Sequence, residues 1–361
     1  MSQVKSLYIH IPFCEKKCPY CDFTAFQGAL HEEERYVKAL VKEIGLYKKN
    51  RFETVYIGGG TPTLLSRESL KKIFSSFEFS ENAEITIESN PGVSKEKLTF
   101  LKTLGINRIS FGAQSFQDKL LKILGRAHTA EDIRNAVKWT REVGISNINL
   151  DLIYAIPTQT TKDIEDDLQE IAKILPTHIS YYSLIWEEGT KFHFDLKKNM
   201  VEEVDDELEA SWYFKIDEFF STLGYGHYEI SNFSQKGYES NHNQVYWRNE
   251  MYFGVGLGAS GYIENKRYSN IKKLYPYYEM IEKLTYPRED VEILSNETIA
   301  QNKIMLGLRL IIEGAEVPKR YQKRLEALEK LGKIEKIGKN YRISKKYWYL
   351  SNQIIREIIF D

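Results

Sequence analysis

Two periods of hydrophobicity alternate through the first two thirds of the chain. SLYIHI (6–11) reads as a strand, and Val37, Leu40, Val41 and Ile44 then recur at helical spacing. TVYIGGG (54–60), EITIES (84–89) and RISFGAQ (108–114) predict three more strands, with a helix around residues 94–104 between the last two. Thr129 is placed to cap a helix whose one face carries Ile133, Ala136, Val137 and Val143. NINLDLIYA (147–155), a helix bearing Ile164, Leu168, Ile171 and Leu175, and HISYYSLI (178–185) complete the series. Six strands separated by helices predict an α/β chain with a parallel sheet. Strands read as apolar on both faces imply a sheet covered on both sides, so a doubly wound sheet and a partial barrel both fit.

The pattern then changes. Leu208, Trp212, Phe219 and Leu223 mark one face of a long helix, after which residues 224–275 turn rich in Gly, Tyr and Asn and read as short strands and loops. From about residue 295 the order is helix, turn, LEALEKLGKIEKIGKNYRIS and a last helix, which suggests a small winged-helix-like module. The expected division is 1–230 for the barrel, 231–290 for a connecting segment and 291–361 for the C-terminal module.

Composition narrows the class. Of 361 residues 42% are hydrophobic and 28% charged, with a net charge of −1, as in an ordinary globular protein. That balance gives no global attraction to nucleic acid or to an anionic membrane. MSQVKSLYIHIPFC lacks a signal peptide's apolar core, and no apolar run nears the roughly 18 residues of a membrane helix. All three cysteines fall within CEKKCPYC (14–21), which excludes a disulfide framework and implies a cytoplasmic chain that keeps its thiols for metal or redox chemistry.

Three readings compete for Cys14, Cys18 and Cys21. CPYC alone fits a thiol–disulfide site, but not with a third thiol just upstream. A structural zinc with His10 or His31 as fourth ligand lacks a second cysteine pair. Three thiolates on a four-iron cluster leave one iron open, which marks a reactive metal. The spacing C-x₃-C-x₂-C resembles that of radical S-adenosylmethionine (SAM) enzymes, which implies a [4Fe–4S] cluster with SAM as the missing ligand. Phe13, Tyr20 and Phe23 are placed to keep such a cluster dry. Polar or glycine elements end several strands, where βα folds keep their working residues. These are Gly58-Gly59-Gly60-Thr61-Pro62, Glu88, Gln114 and Asp151, and Arg126 supplies a cation nearby. An acid within an apolar strand costs free energy unless paired, which favours a ligand role for Glu88 and Asp151.

YIHIPFCEKKCPYCDF, GGGTPT, ESNPG, SFGAQSF, LGRAH and NLDLIYAIP follow one another along nearly the whole chain. In that order they resemble the group containing oxygen-independent coproporphyrinogen III oxidase and the HemW-type heme chaperones. The resemblance implies a six-stranded partial (β/α) barrel with SAM contacts at Tyr8, Gly59, Gly60, Thr61, Glu88, Gln114, Arg126 and Asp151. Within the group, the oxidase carries a further cysteine where this chain has Phe23. It also carries an N-terminal extension, for which thirteen residues before Cys14 leave no room. HNQVYW (242–247) resembles the HNxxYW signature linked to heme in the chaperones, which implies His242 as a heme ligand in a polar loop. The expectation is therefore a heme chaperone that hands heme to acceptor proteins, respiratory enzymes among them by resemblance. Porphyrinogen oxidation is the alternative, and with it an enzyme. The basic run 318–346 reads as a solvated face, or as a docking face for acceptors or anionic lipid, rather than a nucleic-acid site. No sequence signal bears on oligomeric state.

Overall fold

The computed structural model describes residues 3–47 and 50–360. Strands β1 (Ser6–Ile11), β2 (Arg51–Gly59), β3 (Glu78–Ser89), β4 (Arg108–Gln114), β5 (Asn147–Tyr154) and β6 (His178–Ser183) pair in sequence order, all parallel. Helices α1 (Glu33–Gly45), α2 (Arg67–Phe74), α3 (Lys95–Thr103), α4 (Asp118–Ile123), α5 (Ala130–Glu142) and α6 (Thr161–Ile174) lie in the crossovers between strands. Capping boxes start two of these helices, Thr129 with Asp132 on α5 and Thr160 with Asp163 on α6.

After α7 (Lys191–Lys197) and α8 (Asp206–Thr222), three short strands extend the sheet. β7 (Gly226–Glu229) and β8 (Asn232–Ser234) add antiparallel beyond β6, and β9 (Phe253–Val255) adds parallel beside β1. The order β9-β1-β2-β3-β4-β5-β6-β8-β7 leaves β9 and β7 as unjoined edges, so the sheet curves into a partial barrel. Between β8 and β9 lies the short helix α9 (Asn241–Trp247). HNQVYW is therefore helical and not a loop: Ser240 caps it by accepting the Asn243 N–H, and Glu84 accepts from the Asn241 and His242 N–H groups.

The two strand faces are both buried but not both apolar. Ile9, Val55, Ile57, Ile87, Ile109, Ile148 and Leu150 carry the apolar face and belong to one core. The other face carries Thr54, Thr86, Arg108, Ser110, Asn149 and His178, none more than 6% exposed. NINLDL alternates with period two, and the polar set lines the barrel interior, where hydrogen bonds satisfy much of it. Ser110 donates to Asp151 at 2.9 Å, Asn149 Nδ2 donates to Ser110 Oγ at 2.7 Å, and the His178 ring bonds Asn149 Oδ1 at 2.6 Å. On the same face Thr86 Oγ1 and Arg108 Nε have no partner.

Another helix face also differs from expectation. On α8 the buried residues are Trp212, Tyr213, Ile216 and Phe220, while Leu208 is 40% exposed. Both stripes have helical spacing, and contact with α6 selects between them, for example through Trp212 Nε1 donating to Thr161 Oγ1 at 3.0 Å.

Past β10 (Ser260–Ile263), β11 (Lys266–Asn270), α10 (Leu274–Glu282) and β12 (Arg288–Ile293), a second hydrophobic cluster forms. It draws Ile304 from α11 (Asn296–Gly307), Leu325 and Leu328 from α12 (Gln322–Lys330), and Ile334 and Ile343 from the hairpin β13 (Ile334–Ile337) and β14 (Asn340–Ile343). Ile354 to Ile359 of α13 (Ser351–Ile359) close it. Much of the basic run here is paired: Lys333 with Glu357, Lys339 with Glu316, Arg342 with Glu335 and Lys345 with Asp217, each within 3 Å.

Candidate functional site

A cleft of about 470 Å³ opens at the C-terminal ends of the six parallel strands. Its floor and walls come from strand ends: Gly59 of β2, Glu88 and Ser89 of β3, Gly112 and Gln114 of β4, Asp151 of β5 and Tyr182 of β6. The loop after β1 adds Cys14, Cys18 and Cys21, three free half-buried thiols. The parallel fold thus delivers to one place residues as far apart in sequence as Cys14 and Tyr182.

The thiols are arranged around the cleft rather than at one point. Among the described residues no three candidate ligands converge on a single metal ion. A four-iron cubane takes each thiolate on a different iron, so spread thiols with a shared cavity fit a cluster. Two of the three cysteines accept from a neighbouring side chain. Arg126 Nη1 donates to Cys18 Sγ at 3.4 Å, and Thr61 Oγ1 donates to Cys14 Sγ at 3.8 Å. Burial pushes the Cys21 thiol up to about 11 and raises Cys14 as well, so these two are protonated before metal enters. The zinc alternative fails on its fourth ligand. His10 is buried with one ring nitrogen on Tyr8 Oη and the other on the Thr24 carbonyl, and His31 is exposed and bonds the Gly28 carbonyl.

Beside the thiols the cleft is polar and charged. Glu88 accepts from Tyr56 Oη at 2.8 Å and from the Gly59 N–H at 3.0 Å. Burial, then the neighbouring Asp151 charge, pushes Glu88 up to about 7. Burial also raises Asp151, against the pull of Ser110 and Arg108. Arg126 bonds Asn90 Oδ1 at 2.6 Å and the Gly112 carbonyl at 2.8 Å, and its Nε remains without a partner. A fixed cation with an unused donor in one cleft with two half-buried acids is a cradle for a zwitterion bearing both an amino and a carboxylate group. Gln114 takes a left-handed φ of 69° at a register shift in β4, a bulge that aims its side chain.

Seven of the eight expected SAM contacts therefore line one cavity: Gly59, Gly60, Thr61, Glu88, Gln114, Arg126 and Asp151. Tyr8 does not. It stacks behind Tyr56 at 6.2 Å, and Tyr56 takes the position at the cavity wall. Phe13 is also displaced, packed edge-on against Tyr36 in the core, while Tyr20 lines the cleft and Phe23 stands 55% exposed at its mouth. Tyr56, Asn90 and Ser110 were not singled out from the sequence. Tyr56 and Ser110 share a strand face with Gly58 and Gly112, and that period-two relation is the signal that points to them.

Gly60 shows why glycine is required here. A Cβ there would lie 2.5 Å from the Phe13 carbonyl oxygen, which already accepts the Thr61 N–H. Gly60→Ala is expected to destabilise the protein by about 1–3 kcal/mol through this clash and to weaken SAM binding. Thermal melts and SAM titration of the reconstituted protein read both effects, and unchanged values would remove the steric role.

A family model described as the radical SAM superfamily matches residues 8–171. The heme chaperone HemW of Bacillus subtilis (strain 168) is 37% identical over 337 residues, spanning 90% of this chain and 89% of the relative. The chain belongs to the HemW family. The Escherichia coli (strain K12) HemW is 36% identical over 269 residues, or 71% of this chain and 69% of that protein. Coproporphyrinogen III oxidase (HemN) from Escherichia coli shares the fold, with a TM-score of 0.85 over 99% of this chain and 90% of that one. At 22% identity that likeness concerns the fold alone. Radical SAM membership brings a [4Fe–4S] cluster and SAM as the cofactors of this HemW chain, and the thiols and acid-lined cleft fit both.

His242 of the HemW-type motif is not in the cleft. It is fully buried on α9, with Nδ1 bonded to Thr54 Oγ1 at 2.9 Å and Nε2 to Tyr246 Oη at 2.8 Å. Burial holds its pKa down at about 3, so the ring is neutral. As placed, neither nitrogen is free for iron, which departs from the expected heme-ligand role. Tyr246 of the same motif is half-buried, and its hydroxyl meets His242 Nε2.

Proposed function

We propose that this HemW-family chain is a heme chaperone, built on a core in which Cys14, Cys18 and Cys21 hold a [4Fe–4S] cluster. Family membership over nine tenths of the chain carries the reading. The cleft would hold SAM, with Arg126 placed to meet its carboxylate. Gly59, Gly60 and Thr61 give it backbone contact, and Glu88, Gln114 and Asp151 contact its polar groups from the facing wall. The cluster supplies an electron for SAM chemistry, while this chain's residues bind, orient and exclude water. Heme is cargo, passed to acceptor hemoproteins in the cytoplasm. Among the described residues no helix is long and apolar enough to cross a membrane.

The test compares cargo with substrate. Cluster-reconstituted protein is titrated with ferric heme, and a parallel anaerobic sample receives SAM, reductant and coproporphyrinogen III. Saturable heme binding, followed by transfer to an apo-hemoprotein and without porphyrinogen turnover, is the expected result. Formation of protoporphyrinogen would replace the chaperone by the oxidase.

A further inference from the structure

The Glu88 carboxylate is fixed by two donors within the chain itself. Tyr56 Oη donates to Oε1 at 2.8 Å and the Gly59 N–H donates to Oε2 at 3.0 Å. Burial, then the Glu88 charge, holds the Tyr56 phenol well above its ordinary range, so it keeps its proton and remains a donor. Gly58 leaves the room for this contact. A Cβ there would lie 2.9 Å from the Glu88 carboxyl group and 2.9 Å from the Tyr56 ring. Gly58 is not among the glycines of positive φ, so it serves the space and not a left-handed backbone.

Tyr56 is in turn held by two rings. Tyr8, its register partner on β1, stacks on it at 6.2 Å and 27°, and His242 of α9 stacks on it at 5.3 Å and 30°. Tyr8 Oη bonds His10 Nδ1 at 3.0 Å, and His10 Nε2 bonds the Thr24 carbonyl at 2.8 Å. A carbonyl only accepts, so Nε2 carries the proton and Nδ1 accepts from Tyr8. The same His10 ring backs Gly59, where a Cβ would lie 2.5 Å from it. At the other end His242 is fastened to Thr54 and Tyr246. One column of rings therefore starts beside the cysteine loop, passes behind both donors to Glu88 and ends on α9.

We infer that Tyr56 is a positioning residue for SAM, which aims the Glu88 carboxylate into the cleft, and that α9 acts on the cleft through the Tyr56 ring. The inference rests on the SAM reading of the cleft. SAM brings hydroxyl and ammonium donors and a positive charge, which an ionised and correctly aimed carboxylate accepts best. Donation from Tyr56 favours the ionised form of Glu88, against burial and the Asp151 charge and together with the Gly59 N–H and Arg108. The Tyr8 and Tyr246 hydroxyls face the same acid, and Arg126 lies in the same cleft. The Tyr56 ring cannot turn its hydroxyl away from Glu88 without leaving its stack on His242. A packed and hydrogen-bonded chain of this kind carries coupling between two places. It also gives Tyr8 a part in SAM binding from behind the cavity wall.

Cluster-reconstituted full chain is titrated with SAM by calorimetry at pH values on either side of 7, with electron paramagnetic resonance of the reduced cluster as a second readout. Affinity of the unaltered chain is expected to rise as pH passes through about 7, because Glu88 gives up its proton there. Tyr56→Phe keeps the ring and removes the donor. It is expected to lose about tenfold in affinity and to move the midpoint of the pH profile upward, with iron and sulfide content unchanged. Gly58→Ala forces Glu88 and Tyr56 apart and should change both quantities in the same direction, which guards against an accident of one variant. His242→Gln removes the stacked ring while offering polar groups to Thr54 and Tyr246. It is expected to weaken SAM about threefold in the unaltered background and to add nothing in Tyr56→Phe. Tyr56→Phe with affinity within about twofold of the unaltered chain and an unmoved midpoint overturns the positioning role and leaves the SAM reading intact. No loss in His242→Gln, or a loss that multiplies with that of Tyr56→Phe, overturns the part given to α9. Failure of the unaltered chain to bind SAM removes the SAM reading and the inference with it.

Discussion

Replacing Cys14, Cys18 or Cys21 singly with Ala is expected to lower iron and sulfide in anaerobically reconstituted protein from about four of each per chain to below one. The spectral response of the cluster to SAM should vanish with it. Each thiolate takes a different iron, so no remaining cysteine can cover for a lost one. Nor is there a substitute nearby, since both ring nitrogens of His10 are engaged and His31 lies outside the cleft. Thiolate formation also depends on the metal, because burial raises the Cys14 and Cys21 pKa and iron must displace their protons. The same substitutions should leave the melting of the metal-free protein nearly unchanged, within about 0.5 kcal/mol, because the thiols are half-buried on a loop. Iron and sulfide analysis, with electron paramagnetic resonance before and after SAM, decides the matter. A variant retaining four irons and its SAM response would end the case for a three-cysteine cluster.

The six parallel strands were legible because each joins a short apolar run to a segment of helical period, and RISFGAQ matches β4 residue for residue. The added strands β7, β8 and β9 were legible only as short strands somewhere in 224–275, since three or four residues are too few for a period to fix their positions. The polar barrel interior was misread for a related reason. Burial does not imply apolarity: Asn149 and His178 are buried as hydrogen-bonding partners of one another, of Asp151 and of Ser110. In the site, the cysteine spacing and glycine run point to the correct loop because chemistry constrains them. Tyr8 and Tyr56 sit at the same register on adjacent strands, and sequence spacing cannot tell which of two stacked rings reaches the cavity. His242 illustrates the same limit, because its sealing by Thr54 and Tyr246 joins residues 188 positions apart in one case and 4 in the other.

Glu43→Ala should be the most destabilising single change outside the site, costing about 3–5 kcal/mol. Glu43 on α1 is fully buried, and its carboxyl group accepts from the Gly256 N–H at 2.8 Å, Asn270 Nδ2 at 2.7 Å and Tyr277 Oη at 2.6 Å. Truncation orphans three buried donors at once, each worth about 1–3 kcal/mol when left unmade, with some relief from relaxation. The group also ties stability to pH. Burial pushes Glu43 up to about 7 from the ordinary 4.5, so between those values the folded chain holds a proton the unfolded chain has lost. Through this group stability therefore falls as pH rises from 4.5 to 7. Glu43→Gln should remove that component, so its stability difference from the unaltered protein narrows over the same window. The damage should reach the cluster. Glu43 fixes the turn at Gly256, where Leu257 donates to Tyr36 Oη, Tyr36 donates to the His10 carbonyl, and the His10 ring holds the Thr24 carbonyl beside the cysteine loop. Glu43→Ala is accordingly expected to lose iron faster than the unaltered protein on exposure to a chelator. Equal melting and equal iron retention would show that α1, α10 and the β9 edge hold together without it.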